Sequence, residues 1–422
     1  MIVSSKKVAP LQDFYGNLHF SPSGVFAYWI VTPPDKPLAN ARGLAAAAAA
    51  HRAFTDLLPL RPALEGTSVL KSPRFIYEQQ SRYADTRRFP VFEQICRGRE
   101  REAAATAPRY PVFWLYVRLE PPMSGLTVCG AAHRRLVRAG MVAPRATEQT
   151  LAEYWELMQS VEARIPAVFA PVRPTGAQLR WFHRRQHTLG VLDEPLPLPE
   201  DSDAALVGYR WAPRVELVEG DRSVAGVSRP LLKVTSIDDG TRETYQIRAA
   251  VTSFPAGGIY FPGSNFTSVI SDLYDELGQT RLQVDWSQRA HQLPLSRANR
   301  RNAAGFRKIN EQYGQQVGRR STAQLDESEA ALADFEYELS ANPREAEVVF
   351  TTVFSIGAPT AEEAHQAYGR LRETLEELRV ETAAPAGQQI RLYQSTRPGV
   401  EDLSIQSSFA QYTTRTGWSR FI

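Results

Sequence analysis

Thr280-Arg-Leu-Gln-Val-Asp-Trp286 and Val348-Val-Phe-Thr-Thr-Val-Phe-Ser-Ile356 bracket the stretch that decides the fold. In the first segment Leu282, Val284 and Trp286 alternate with polar residues, the period-two pattern of a half-buried strand. The second is rich in β-branched and aromatic residues and also reads as a strand. Between them, Phe306, Ile309, Tyr313 and Val317 recur at helical spacing within Ser296–Val317. Leu325, Leu332, Phe335 and Leu339 follow an a/d pattern in a further helix. Thr360 with Glu363 forms a capping box, and Ala364, Tyr368, Leu371, Leu375 and Leu378 line one face of the helix it opens. Strand, helical hairpin, strand and capped helix make this an α/β (α+β) unit.

Working outward, the same alternation appears near the N-terminus. Phe14–Phe20 and Val25–Val31 are joined by the turn residues Ser21-Pro-Ser-Gly24. Val25, Ala27, Trp29 and Val31 share one face, while Phe26, Tyr28 and Ile30 share the other, so this strand is expected to be covered on both sides. A helix over Leu38–Leu60, a strand over Val69–Tyr77, a charged helix over Arg87–Ala105 and a strand over Pro111–Leu119 complete a first lobe. Thr147 and Thr175 each stand where a helix N-cap is needed. The expected division is a first lobe over 1–190, a Pro- and acid-rich linker over 191–205, a second lobe with the long helices over 206–398, and a tail over 399–422. The sheets of both lobes are read as mixed or antiparallel. No internal repeat is evident from the residues.

At 422 residues the chain exceeds one ordinary core. Its apolar fraction of 43% and charged fraction of 23% are those of globular proteins. No apolar run reaches the roughly 20 residues that span a bilayer. Met1-Ile-Val-Ser-Ser-Lys-Lys7 has no apolar core of a secretory signal. Two cysteines, Cys96 and Cys129, make no disulfide framework, and a cytoplasmic location is expected. A net charge of +3 conceals segregation: Thr280–Gln324 holds nine basic and two acidic residues, and Leu325–Glu381 four and fourteen.

Five chemical readings follow. Arg297, Arg300, Arg301, Arg307, Lys308, Arg319 and Arg320 form a basic helical segment that can meet a partner, nucleic acid or lipid. Its simplest partner is the acidic helix that follows, through Asp326, Glu327, Glu329, Asp334, Glu336 and Glu338. Arg180-Trp-Phe-His-Arg-Arg185 mixes cations and aromatics as a nucleic-acid surface does, but fits better a helix with Trp181 and Phe182 buried and Arg180, Arg184 and Arg185 solvated. His183 and His187 lie one turn apart, yet Arg184 stands where zinc hydrolases place the general-base glutamate, so no metal site is expected. His133, His183, His187 and His291 are candidate acid/base groups with no evident nucleophile. No lysine follows a glycine, so the chain has no phosphate-cradling P-loop and no nucleotide cofactor of its own is expected.

The aromatic N-terminal lobe, the strand–hairpin–strand–capped-helix unit of Thr280–Leu378, and the Arg397-Pro-Gly399 turn with Ser404–Phe421 after it together carry a resemblance. The chain resembles the region preceding the motor in type IV secretion and conjugal-transfer ATPases of the CagE/TrbE/VirB kind, in their actinobacterial form. The likeness covers most of the chain and rests on pattern. It implies a non-catalytic docking and assembly region at the cytoplasmic face of a translocation machine, peripheral to the inner membrane and oligomeric, with other machine subunits as partners. It also implies that ATP and Mg bind in a motor domain, none of whose nucleotide-binding residues occur here. The alternatives are a nucleic-acid-binding accessory protein of a mobile element, with DNA on the basic helices, and an enzyme with a scattered site.

Overall fold

The computed structural model describes residues 11–21, 23–32, 49–70, 89–106, 109–120, 146–191, 194–197, 199, 206–210, 213–219, 230–236, 242–255, 262–277, 282–315, 323–342, 345–400 and 406–419. In chain order the strands are β1 (Leu11–Tyr15), β2 (Leu18–Ser21), β3 (Gly24–Val31), β4 (Ala63–Leu70), β5 (Arg109–Leu119), β6 (Leu206–Arg210), β7 (Arg214–Glu219), β8 (Pro230–Ser236), β9 (Arg242–Ser253), β10 (Gln283–Gln292), β11 (Glu347–Ala358), β12 (Glu381–Ala383) and β13 (Gln411–Thr414). The helices are α1 (Pro90–Thr106), α2 (Glu148–Glu162), α3 (Gly176–Thr188), α4 (Pro262–Leu277), α5 (Leu295–Gln315), α6 (Ala323–Ala341), α7 (Ala361–Glu377), α8 (Gln389–Ser395) and α9 (Arg415–Trp418). A helical run over 49–54 continues into the 3-10 turn Thr55–Leu60.

The strands form one sheet in the order β6-β1-β2-β3-β5-β4-β10-β11-β9-β8-β7, with β12 added to β9 and β13 to β11. Every strand pairing is antiparallel. This is the expected α/β class; of the mixed and antiparallel alternatives the sheet is antiparallel, and it is continuous where a sheet in each lobe is expected. Strands β1–β5 and β7–β11 meet edge to edge where β4 pairs with β10, from Asp285↔Thr67 to Arg289↔Ala63, while β6, expected in the second lobe, joins β1.

The halves repeat one another, which the residues do not reveal. The first runs β1-β2-β3, helix, β4, α1, β5, α2, α3. The second runs β7-β8-β9, α4, β10, α5–α6, β11, α7, α8. The order β1-β2-β3-β5-β4 has its counterpart in β7-β8-β9-β11-β10. The registers match as well. Asp13↔Phe20 corresponds to Glu216↔Lys233, His19↔Phe26 to Leu232↔Gln246, Val25↔Leu119 to Tyr245↔Ala358, and Leu70↔Arg109 to Gln292↔Val348. The two units are related by a pseudo-two-fold at the β4–β10 seam. Because β4 and β10 run antiparallel, α1 leaves the sheet at one end and the α5–α6 hairpin at the other.

One face of the sheet is largely apolar, interrupted by the buried Gln288–Thr352 hydrogen bond at 3.2 Å. Trp29, Val31, Leu64, Phe113, Leu115, Val284, Trp286, Phe350 and Phe354 join one buried cluster with Tyr154 and Met158 of α2, Leu273 of α4, and Leu371 and Leu375 of α7. Gly66 has no side chain because the Trp286 indole fills its place: a Cβ there would lie 2.2 Å from Nε1. Thr147, Thr175 and Thr360 each cap a helix in a reciprocal box, as their positions predict.

The other face is aromatic at the first unit, where Phe26, Tyr28, Trp114 and Tyr116 meet Leu179, Trp181 and Phe182 of α3. Near the seam it is polar. Here β10 departs from expectation: its polar residues Gln283, Asp285, Ser287 and Arg289 are buried like its apolar ones. A second face reading as solvated is in fact covered by α3 and the Arg397–Val400 turn. The last segment belongs to the fold as well, since β13 extends the sheet and Trp418 of α9 is 1% exposed.

Candidate functional site

Of the basic helical segment, Arg297, Arg300, Arg307 and Lys308 are exposed on α5. Arg319 and Arg320 lie outside the described residues. Arg301 is half-buried and takes a different role: it pairs with Glu347 of β11, and its guanidinium lies 5.7 Å from the Phe335 ring of α6 and 4.3 Å from that of Tyr412. Arg301 ties the hairpin to the sheet. Between α5 and α6, Gly305 lies against Leu332. Phe306, Ile309, Leu332, Phe335 and Leu339 are only partly buried.

On α3 the structure separates three arginines that read alike. Arg180 is exposed. Arg184 pairs with Glu194 at 3.0 Å. Arg185, expected in solvent, is 4% exposed and grips Asp285 through Nε at 2.6 Å and Nη2 at 2.8 Å, while Nη2 also donates to the Ser68 carbonyl at 2.8 Å. Trp181 and Phe182 are buried, as the amphipathic reading requires. A fork-on-carboxylate pair with both partners desolvated is a clamp whose members depend on one another. It joins α3 and β4 of the first unit to β10 of the second.

Around this clamp lies a buried polar network. Tyr116 donates to Glu65 at 2.5 Å, and Arg289 donates to Tyr116 at 3.3 Å and to the Arg397 carbonyl at 3.0 Å. Arg289 also donates to the Val400 carbonyl. Burial pushes Glu65 up to about 7, against the opposing pull of Tyr116 and Arg289. Arg248 is fully buried, donates to Gln246 at 3.0 Å, and faces the Tyr393 ring at 5.0 Å; burial lowers it to about 10. Gln389 brackets the Arg248 backbone, accepting from its N–H and donating to its carbonyl, both at 2.8 Å.

His19, His183 and His187 are buried. His19 stacks on Phe14 at 4.6 Å and meets His183 edge-on at 4.5 Å. His187 Nδ1 shares a 2.7 Å hydrogen bond with the Tyr393 hydroxyl. Burial, with the nearby Arg397 charge, lowers His19 to about 3; burial first, then neighbouring charges, lowers His183 and His187 well below the usual range. His291 sits half-buried at the end of β10, and His133 lies outside the described residues. Among the described residues no group of three or more His, Cys, Asp or Glu is arranged to hold a metal ion. No helix among them is long and apolar enough to cross a membrane.

A separate cleft of about 260 Å³ opens on the apolar face, between β4–β5 and α4. Gly66 and Trp286 form its floor, Pro111, Ile270 and Tyr274 its walls, and Asp275 its rim. Arg109 is held along one side, 4.6 Å from the Tyr274 ring centre and donating to the Ser68 carbonyl at 3.4 Å. Asp285, Glu65, Arg248 and Arg289, which dominate the seam, escape sequence reading. Their signal is a charge inside an otherwise apolar strand, such as Asp285 between Val284 and Trp286.

No protein-family model matches the chain, and comparison with curated proteins finds no matching relative.

Proposed function

We propose that this chain is a non-catalytic docking and assembly region of a conjugation-type secretion machine, which positions a nucleotide-driven motor at the cytoplasmic side of a membrane. One observation carries the reading furthest. The α5–α6 hairpin is tied to the sheet by Arg301 yet presents Arg297, Arg300, Arg307 and Lys308 to solvent. Such an arm offers a charged surface on a rigid base, as an assembly contact needs. The sequence resemblance supplies the identity of the machine. ATP and Mg belong to the motor in this reading, and peripheral contact with anionic lipid would use the same cations.

The test is co-expression with a P-loop motor encoded by the same genetic element. A complex should form, and reversing Arg297, Arg300, Arg307 and Lys308 to Glu should weaken it at least tenfold. Failure of wild type to associate, or indifference to the four reversals, removes the reading.

The exposed cations also favour a second reading, a nucleic-acid-binding accessory protein. It requires DNA affinity that falls steeply with salt, with a slope reduced by the same reversals. Salt-insensitive or undetectable binding excludes it.

A further inference from the structure

The duplicated units differ in how the free end of one strand is covered. In the second unit β13 adds to the start of β11, from Glu347↔Thr414 to Phe350↔Gln411, beyond the point where β9 parts from β11 at Val353. The chain then turns into α9, and Trp418 enters the apolar cluster that holds Phe54, Ala290, Val348 and Phe350, lying 6.4 Å from the Phe54 ring. Arg415, three residues earlier, pairs with Asp56 at 2.6 Å. The docked segment therefore supplies an added strand, an aromatic plug and a cation.

In the first unit the stretch of β5 that matches Val348–Phe350 is Arg109–Pro111. There β3 parts from β5 at Val31↔Phe113, and among the described residues no strand pairs with that edge. Tyr110 is 38% exposed on it. Beside this edge lies the 260 Å³ cleft, at the place the pseudo-two-fold relates to the Trp418 socket. The correspondence is residue by residue: Ser68, Arg109 and Pro111 line the cleft, and the registers equate them with Ala290, Val348 and Phe350, which belong to the same buried cluster as Trp418. Asp275 on the cleft rim carries no ion pair among the described residues, whereas Asp56 has Arg415.

We propose that the cleft and the adjoining β5 edge form a docking site for an extended segment of a partner protein, carrying an aromatic side chain close to a basic one. The volume suits an indole or phenol, and the walls of Pro111, Ile270, Tyr274 and Trp286 offer the aromatic and apolar contact such a ring needs. Strand addition supplies the orientation. Pro111 has no N–H, so this edge offers fewer donors than β11 does, and the ring in the cleft carries more of the affinity. This site is at a distance in sequence and chemistry from the cations of α5 and does not rest on the assembly role proposed above.

The probe is a fluorescently labelled peptide of residues 409–422, which carries the known plug, titrated into the full-length chain and followed by anisotropy. Saturable binding is expected. Trp418→Ala in the peptide should weaken it at least tenfold. In the protein, Trp in place of Ser271, an exposed residue of α4 that lines the cleft, should fill it and do the same (Ser271→Trp), and Asp275→Lys should weaken binding several-fold without filling anything. Asp334→Trp on α6 should leave it unchanged. Circular dichroism checks that each variant folds. The proposal is overturned by absence of saturable binding, by equal affinity of the Trp418→Ala peptide, or by indifference to both cleft variants. It is also overturned if N-acetyltryptophanamide binds as tightly as the peptide, which would make the cleft a small-molecule pocket.

Discussion

Replacing Asp285 by Leu would leave the Arg185 guanidinium at 3% side-chain exposure with no carboxylate to receive two of its hydrogen bonds. The Ser68 carbonyl would still accept one, and the Trp181 ring 5.3 Å away would remain, but neither neutralises the charge. Stranding one member of a desolvated pair costs about 3–5 kcal/mol. Arg185→Met should cost a similar amount, because it strands a carboxylate that is 7% exposed. The double variant removes both charges and keeps apolar volume on each side, so it should fall within about 1 kcal/mol of wild type or exceed it. Urea unfolding followed by tryptophan fluorescence reads these values. With an m-value of about 3 kcal/mol/M, the single variants should lower the midpoint by roughly 1 M or more. The coupling energy from the full cycle should be about 3 kcal/mol or larger. Single variants costing under about 1 kcal/mol would refute the clamp, and a double variant as damaged as the sum of the singles would show that the two residues act separately.

Glu65 predicts a pH dependence of opposite sign to that of the histidines. Its folded value of about 7 stands above the ordinary 4.5, so the stability it contributes is full below 4.5 and is lost as pH rises towards 7. Glu65→Gln should therefore stabilise the protein at pH 8 by up to about 3 kcal/mol and have no effect at pH 4.5. The buried histidines act the other way, losing stability as pH falls below 6.5, and they are common to both proteins. A pH-independent difference between the two denaturation series would contradict the burial argument. At Gly399, φ is +74° and a Cβ would lie 2.3 Å from His19 Cε1. Gly399→Ala should cost on the order of 2 kcal/mol and loosen the turn that Ser21 Oγ holds at 2.8 Å. An unchanged melting temperature would exclude that fit.

Much of the architecture is readable from the residues because strands and helices announce themselves through period. Val25–Val31 is apolar on both faces and is covered on both, and three threonines sit at caps as their neighbours require. The repeat is not readable, because what the units share is register. Tyr28 of the first corresponds to Arg248 of the second, and Glu65 to Ser287, so residue identity carries no trace of a common plan. The buried seam was hidden for a related reason. Alternation of Val284 and Trp286 with Asp285 and Ser287 normally marks a solvated face, and only α3 lying across it shows otherwise. Arg180, Arg184 and Arg185 form one motif in sequence, while helical rotation alone sends one to solvent, one to Glu194 and one to Asp285. The Trp418 plug joins residues from opposite termini, which no local pattern can foretell.

The antiparallel seam has a mechanical consequence. Since β4 and β10 run in opposite directions, tension applied at their C-terminal ends pulls the two strands past each other along their length. All five residue pairs from Asp285↔Thr67 to Arg289↔Ala63 then bear load together in shear, where pulling at one end would open them in turn like a zip. The Arg185–Asp285 fork crosses the same plane and adds a lock against sliding. A sheet strung in this way transmits force from end to end as a stiff tie.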